Sequence, residues 1–376
     1  MIKFNEPIYL PKSLEYIRDT LESGKISGDG KYTKACNEWF KKNFNLQKIL
    51  LTTSGTHALE LASMLMEIDK GDEVIIPSYT FTSTANAFVT KGARIKFVDI
   101  RKDTLNIDET LIEQAITRNT KAIVPVHYAG VACDMDSILD IARRHDLFVC
   151  EDAAQGVMSK YKGKYLGTMG DFGCYSFHET KNYSMGEGGA VCVNQSMFEE
   201  KAEIIREKGT NRSAFIRGEI DKYTWISQGS SYLPSDINAA MLLAQLEVAE
   251  QINEQRLKAW NYYYKLLKSL ETEGILQLPQ IPENCVHNAH MFFVLVNDCN
   301  KRDSLLEYMK KNNIMATFHY IPLHLSPAGL KYGSFVGDDK NTISISKQII
   351  RLPLYYGINI EDIEHICKVI EEFFKK

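Results

Sequence analysis

Between residues 71 and 193, short apolar runs alternate with amphipathic segments in the rhythm of strand, helix, strand. The runs 73–77, 94–98, 122–126 and 148–152 show little internal alternation, which predicts strands covered on both faces. Segments 83–89, 109–116 and 136–144 carry helical periodicity. Together they predict an α/β fold: a mostly parallel sheet with helices on both faces. Upstream, residues 13–21 and a stretch carrying Trp39 and Phe40 predict two helices joined by a polar turn, Ser27-Gly28-Asp29-Gly30. After about residue 250 the pattern changes to helix 256–270, apolar strand 291–296, helix 303–311 and helix 361–374. The expected organisation is a large α/β domain over 1–250 and a smaller α+β domain over 251–376.

Ligands of parallel sheets collect at the carboxyl ends of the strands, so polar residues there are the first candidates. Ser54-Gly55-Thr56 follows one apolar run and opens an Ala/Leu-rich helix. Free N–H groups at such a start, with the helix dipole, can hold a phosphate, and the same residues serve equally as a plain cap. Phe81 follows another strand, where it can stack on a planar ligand or pack in the core. His127-Tyr128 leaves a third, as pocket lining or as a satisfied turn. Asp152 ends a fourth. A carboxylate in that place needs a cationic partner, either a protonated pyridine nitrogen or an ordinary Lys or Arg.

The stretch 173–189 organises these ends. It delivers the hydroxyl of Ser176 and the amine of Lys181, and then Gly186-Glu187-Gly188-Gly189 returns the chain into an apolar strand. A lysine held among apolar neighbours loses solvation of its charged form, so the neutral, nucleophilic amine becomes accessible and Schiff-base chemistry follows. A solvated surface lysine before a glycine-rich turn is the alternative.

Composition narrows the function classes. A net charge of −4 without a dense basic run speaks against a nucleic-acid groove. The chain opens without a signal-peptide apolar region, and no apolar run approaches the ~18 residues of a membrane span, so a cytoplasmic protein without membrane contact is expected. The 8 cysteines stand singly, none in a C-x-x-C pair, and read as reduced thiols with no metal site.

These residues together resemble the DegT/DnrJ/EryC/StrS family of sugar-nucleotide aminotransferases, within the fold-type I pyridoxal-phosphate enzymes. The matching motifs are Ser54-Gly55-Thr56, Glu151-Asp152-Ala153-Ala154-Gln155, Ser176-Phe177-His178, Lys181-Asn182 and Gly186-Glu187-Gly188-Gly189, with His319-Tyr320-Ile321-Pro322-Leu323-His324 and Arg351-Leu352-Pro353-Leu354 further on. The resemblance implies that Lys181 carries pyridoxal 5'-phosphate, that Asp152 pairs with its ring nitrogen and that Gln155 bonds the ring hydroxyl. Phe81 would stack on the ring, and Gly55, Thr56 and Ser176 would hold the phosphate. It further implies a homodimer with shared active sites, in which Asn211-Arg212 and the loop 229–232 reach the partner's cofactor. Many relatives have Asn at the position of Ser231, so a shorter side chain reaches for the phosphate in this chain. His178, Tyr183, His319 and His324 are the expected substrate contacts.

Stretches 124–134, 177–183, 205–212 and 229–232 are similar to the family branch that moves an amino group from L-glutamate to a dTDP-linked 4-keto-6-deoxyglucose. In that branch the product is the 4-amino-4,6-dideoxygalactose of enterobacterial surface polysaccharide, with the gluco epimer as the alternative. Lys181 itself distinguishes the chain from the family's sugar dehydratases, which carry histidine there. A non-catalytic regulator of the same fold would bring a winged-helix segment and a basic face, and neither is present in the sequence. A cysteine desulfurase places its lysine directly after the histidine, whereas here Lys181 lies three residues on from His178.

Overall fold

The computed structural model describes residues 1–375. In chain order the strands are β1 (Lys48–Thr52), β2 (Glu73–Pro77), β3 (Arg94–Val98), β4 (Thr120–Ile123), β5 (Phe148–Asp152), β6 (Lys160–Tyr161) and β7 (Lys164–Tyr165). They continue as β8 (Phe172–Ser176), β9 (Gly189–Val193), β10 (Leu276–Gln277), β11 (Cys285–Val286), β12 (Phe292–Val296), β13 (Gly333–Phe335) and β14 (Ile349–Leu352). The main sheet has 8 strands in the order β1-β9-β8-β5-β4-β2-β3-β13. From β8 through β13 all neighbours are parallel, and β9 alone runs against both of its neighbours. The carboxyl ends of β1, β2, β4, β5 and β8 therefore share one edge of the sheet.

Two apolar clusters cover the faces of that sheet. One is built with the helices Lys31–Phe44 and Asp236–Leu246, the other with Gly55–Leu65 and Thr82–Val89. Residues Asp236–Leu246 are apolar nearly all round, as expected of a helix enclosed by protein. Its Asp236 also anchors the N-terminal segment: the carboxylate accepts from the backbone N–H of Tyr32 and Thr33, at 3.1 and 2.7 Å, at the start of helix Lys31–Phe44. Gly30 permits this approach, because a Cβ there would lie 2.4 Å from Oδ2 of Asp236.

A third cluster joins the helices Ala249–Thr272, Cys299–Lys311 and Ile360–Phe374 to the 3-stranded sheet β10-β12-β14. The last third of the chain also returns to the main sheet. β13 extends it beside β3, and buried Asp99 accepts from the backbone N–H of Lys340, Asn341 and Thr342. A small fourth cluster, with Tyr79, Tyr128, Met291 and Phe293, fills the seam along the carboxyl edge.

Two segments depart from the sequence pattern. Residues 109–116 form two 3-10 turns, Glu109–Leu111 and Glu113–Ala115, rather than a helix. Asp108 takes both the N–H and the hydroxyl of Thr110, and Ile116 is extended, so local side-chain bonds end the coil after one turn. β4 stops at Ile123 instead of residue 126 because Pro125 has no N–H to give the ladder. Its carbonyl still accepts from Asp152 N–H at 2.9 Å, and Val126 bridges Asp152.

Candidate active site

β5 presents two adjacent acids to opposite faces, because side chains alternate along a strand. Glu151 turns into protein, where it takes His127 Nε2 at 2.9 Å and the N–H groups of Gly167, Met169 and Gly170 at 2.7–2.8 Å. His127 Nδ1 accepts from Cys133 N–H, so its proton sits on Nε2 and points at Glu151. These groups are fully spent on one another. Asp152 faces the cleft instead, with Oδ2 accepting from Thr84 Oγ1 at 2.7 Å and Oδ1 from Ala154 N–H at 3.2 Å. No cation holds it within salt-bridge distance among the described residues.

Lys181 sits after β8 on a loop fixed at several points. Phe177 N–H donates to Gly188 O, Met185 N–H to Phe177 O, and Lys181 N–H closes a turn on His178 O. From the helix Asp236–Leu246, Gln245 accepts Ser184 N–H at 2.9 Å and donates to Ser184 O at 2.6 Å, and Asn238 donates to Met185 O at 2.7 Å. Asn182 donates to Asn288 O through its amide NH2 and accepts from His290 Nδ1 through Oδ1 at 2.9 Å. The amine thus projects from a rigid base into a small cavity whose walls include Gln155, Ser176, Asn288 and His290. Burial brings the Lys181 ammonium down to about 8; the Asp152 carboxylate works against that shift and the Arg351 guanidinium adds to it.

Across the same edge, Ser54 caps helix Gly55–Leu65 by accepting His57 N–H at 3.0 Å, which leaves the N–H groups of Gly55 and Thr56 outside the cap. Ser176 and Gly189 are register partners, as are Thr52 and Gly189, so Gly189 lies between the two ends. A Cβ on Gly189 would lie 2.5 Å from Gly55 N, and one on Gly55 would lie 2.9 Å from Ser176 Cβ. The concavity exists because both residues lack a side chain.

Phe81 caps the start of helix Thr82–Val89 and is 57% exposed, with its ring centroid 6.3 Å from that of Tyr320. Gln155 gives its carbonyl oxygen to Ala129 N–H at 2.7 Å, so its amide NH2 is the group it offers the cleft, 3.3 Å from Tyr320 Oη. The loop carrying His319 and Tyr320 roofs these residues. His319 stacks on Tyr320 at 3.5 Å and contacts Tyr128 Oη at 2.7 Å through Nδ1. Burial, with the charges of Arg351 and Lys181, holds His319 well below its ordinary value, so it is uncharged at neutral pH.

Of the remaining residues singled out from the sequence, Tyr183 lines the Lys181 cavity with its hydroxyl bonded elsewhere, and the others lie outside this group. Tyr183 is buried and donates to Ala249 O at 3.0 Å. His178 stands on the rim, bonded to Thr180 and 3.6 Å from Glu187. His324 is held by Ser78 Oγ at 2.6 Å and Asp339 at 3.2 Å. Ser231 is exposed and pairs with Glu207, apart from the lysine loop. Thr84, Tyr320 and Arg351 join the site without having been given roles. For Arg351 the signal was a charge inside the apolar strand 349–352; for Thr84 there was none beyond its place in a helix near a strand end.

The DegT/DnrJ/EryC1/StrS aminotransferase family model matches residues 10–371. The chain belongs to this family. It is 37% identical to an uncharacterized protein of Methanocaldococcus jannaschii over 368 residues, covering 96% of this chain and 94% of that one. It is 31% identical to the Bacillus subtilis spore coat polysaccharide biosynthesis protein SpsC, covering 100% and 97%. Among solved structures, Spr1654 of Streptococcus pneumoniae superposes with a TM-score of 0.93 in its PMP form and 0.90 in its PLP form, at 25% identity and with 100% of this chain covered in each. The name of that protein assigns it provisionally to the sugar aminotransferases.

The protein is therefore a pyridoxal-phosphate-dependent aminotransferase. Its cleft fits the cofactor on its own chemistry: an amine with a depressed pKa, a carboxylate lacking a cation, an exposed aromatic face and an amide-lined concavity that a Cβ would fill. No helix among the described residues is long and apolar enough to cross a membrane.

Proposed function

We propose that this aminotransferase moves the amino group of L-glutamate to C4 of dTDP-4-keto-6-deoxy-D-glucose, giving dTDP-4-amino-4,6-dideoxy-D-galactose and 2-oxoglutarate. The observation that carries a transaminase reading of the cleft is Lys181, whose amine is held at about 8 beside the cation-free carboxylate of Asp152. The choice of a sugar is supported by the names of SpsC and of the Streptococcus pneumoniae protein.

In this reading Lys181 binds the cofactor, and its freed amine then takes the proton from the substrate carbon and returns it as general base and acid. The bound cofactor supplies an electron sink for the charge left on that carbon. Asp152, fixed by Thr84, supports the positive ring nitrogen. Gln155 offers its NH2 to the ring hydroxyl, Phe81 covers one ring face, and Gly55, Thr56 and Ser176 receive the phosphate. His319 meets the sugar as an uncharged hydrogen-bonding group, with His178, Tyr183 and His324 around the approach.

The active sites of this reading lie between two copies of the chain, with Ser231 contributed by the partner. The segment leading to Ser231 supports this: Ile216, Tyr223, Trp225 and Ile226 are each at least half exposed, an apolar surface that a second copy would cover.

The test is sequential. L-glutamate alone should abolish the visible absorbance of the bound cofactor, and the keto sugar should restore it. Proton NMR of the product should give a small H3–H4 coupling; a large one identifies the gluco epimer and removes the galacto assignment.

A further inference from the structure

His290 belongs to the last third of the chain, yet its ring is a wall of the cavity that holds the Lys181 amine, with 5% of the residue's surface open. Its backbone is stitched in place. Asn288 donates to Gln155 O and Val157 O at 2.8 Å each, and its Oδ1 accepts His290 N–H at 3.0 Å. Ala289 between them sits in the left-handed region at φ 49°, a costly conformation for a residue with a Cβ, and Arg256 holds its carbonyl. This turn fixes where the ring points.

The tautomer of that ring follows from the amide beside it. Asn182 gives its NH2 to Asn288 O at 2.8 Å, so its Oδ1 can only accept, and the His290 nitrogen 2.9 Å from it, Nδ1, carries the proton. Nε2 is then a bare acceptor as long as the ring is uncharged. Burial secures that, together with the charges of Lys181, Arg256, Arg351 and His319, none of them an anion, which hold His290 well below its ordinary value. Among the described residues neither Nε2 of His290 nor Nζ of Lys181 has a hydrogen-bond partner.

The other polar walls are taken. Gln155 spends its carbonyl on Ala129 N–H and turns its NH2 to Tyr320 Oη, Asn182 and Asn288 are bonded as above, and the Tyr183 hydroxyl donates to Ala249 O. Ser176 Oγ accepts His178 N–H and faces the concavity beside Gly55. That leaves His290 Nε2 as the acceptor in a cavity that contains an amine. A freed amine keeps N–H bonds that need an acceptor, and an acceptor fixed on one side turns its lone pair to the other.

We infer that His290 is a positioning residue for Lys181, its Nε2 accepting an N–H of the freed amine and so aiming the amine's lone pair at the substrate carbon. The proton taken from that carbon stays on Nζ, and the His290 ring exchanges none. This rests on the transaminase reading above. A ring that only supports Asn182 is the rival, and the experiment separates the two.

Asn and Gln divide the two functions of the ring, because an Asn amide reaches the place of Nδ1 and a Gln amide the place of Nε2. His290→Asn keeps a donor for Asn182 and loses the acceptor for Lys181; His290→Gln does the reverse. At saturating L-glutamate the half-reaction of the holoenzyme, followed by absorbance, should slow by about 10- to 100-fold in His290→Asn, with the half-saturating concentration unchanged, and recover most of that loss in His290→Gln. The apoenzyme supplies two further readouts. An acceptor favours the ammonium over the amine, so the pH midpoint of cofactor capture should move down in His290→Asn and return in His290→Gln. NMR of apoenzyme labelled at its histidine nitrogens should show the His290 Nε2 resonance, assigned by its loss in His290→Gln, move in Lys181→Ala. The opposite order of variants, with His290→Asn near wild type and His290→Gln slow, would overturn the inference in favour of support for Asn182. An Nε2 resonance indifferent to Lys181→Ala would overturn it as well, and that measurement needs neither His290 variant to be active. A wild-type enzyme that reacts with no α-amino acid would sink the transaminase reading instead, while the apoenzyme readouts would still decide the contact.

Discussion

Thr84 Oγ1 donates to Asp152 Oδ2 across 2.7 Å, both groups buried and 68 residues apart in the chain. The bond fixes the direction of a carboxylate that no cation holds. Asp152→Asn keeps the volume and removes the charge, so the cofactor should still bind while turnover falls by orders of magnitude. Thr84→Val removes only the donor; a hydrogen bond to a charged group contributes ~1.5–3 kcal/mol, so a smaller loss of about tenfold or more is expected. Steady-state rates with cofactor binding measured on the same samples check both. Near-normal turnover in Asp152→Asn would remove that residue from its role.

The strand ends were legible in the sequence because each apolar run stops at a polar residue and parallel strands bring such stops to one edge. Asp152, Ser176 and Gly55 were found that way. Residues 109–116 misled because periodicity carries no information about Asp108 capturing Thr110 locally. The support of the lysine loop by Gln245 and Asn238 was out of reach, since those contacts join residues 61 and 53 apart and follow only from helix packing. Arg351 was visible as a charge inside the apolar strand 349–352, but its lack of a hydrogen-bond partner at Nε shows only in the assembled cleft.

Capture of the cofactor by apoenzyme should depend on pH through Lys181. Its ammonium titrates at about 8, so the neutral amine grows about tenfold per unit below that pH and the rate levels off above it. Neighbouring charges give the sign of each variant. Arg351 lowers the Lys181 value, so Arg351→Gln should move the midpoint up; Asp152 raises it, so Asp152→Asn should move the midpoint down. Stopped-flow absorbance across pH 6–10 reads all three proteins, and a common midpoint would show that these charges do not act on the amine.

Gly189→Ala should empty the phosphate cradle. The added methyl would lie 2.5 Å from backbone atoms of Ser54 and Gly55, which cannot swing aside as a side chain would. Thermal melting is expected to shift down, and pyridoxamine phosphate affinity should fall by far more than the affinity for pyridoxamine, which has no phosphate. An equal loss for both ligands would place the phosphate elsewhere.

Lys181→Ala should retain pyridoxamine phosphate, because the cradle, Phe81 and Asp152 do not use the amine. Proton transfer at the substrate carbon should nevertheless collapse, a positioned general base being worth typically ~10²–10⁴-fold. Deuterium exchange at the α-carbon of glutamate, followed by NMR, separates that chemical loss from any loss of binding.

The central claim is that Lys181 is the residue on which the cofactor is carried. Borohydride reduction of the holoenzyme, followed by proteolysis and mass spectrometry, measures this directly. The account predicts a single reduced pyridoxyl modification in the peptide containing Lys181 and Asn182, lost when L-glutamate is added before the reductant. A modification on another lysine, or none in active enzyme, would contradict it.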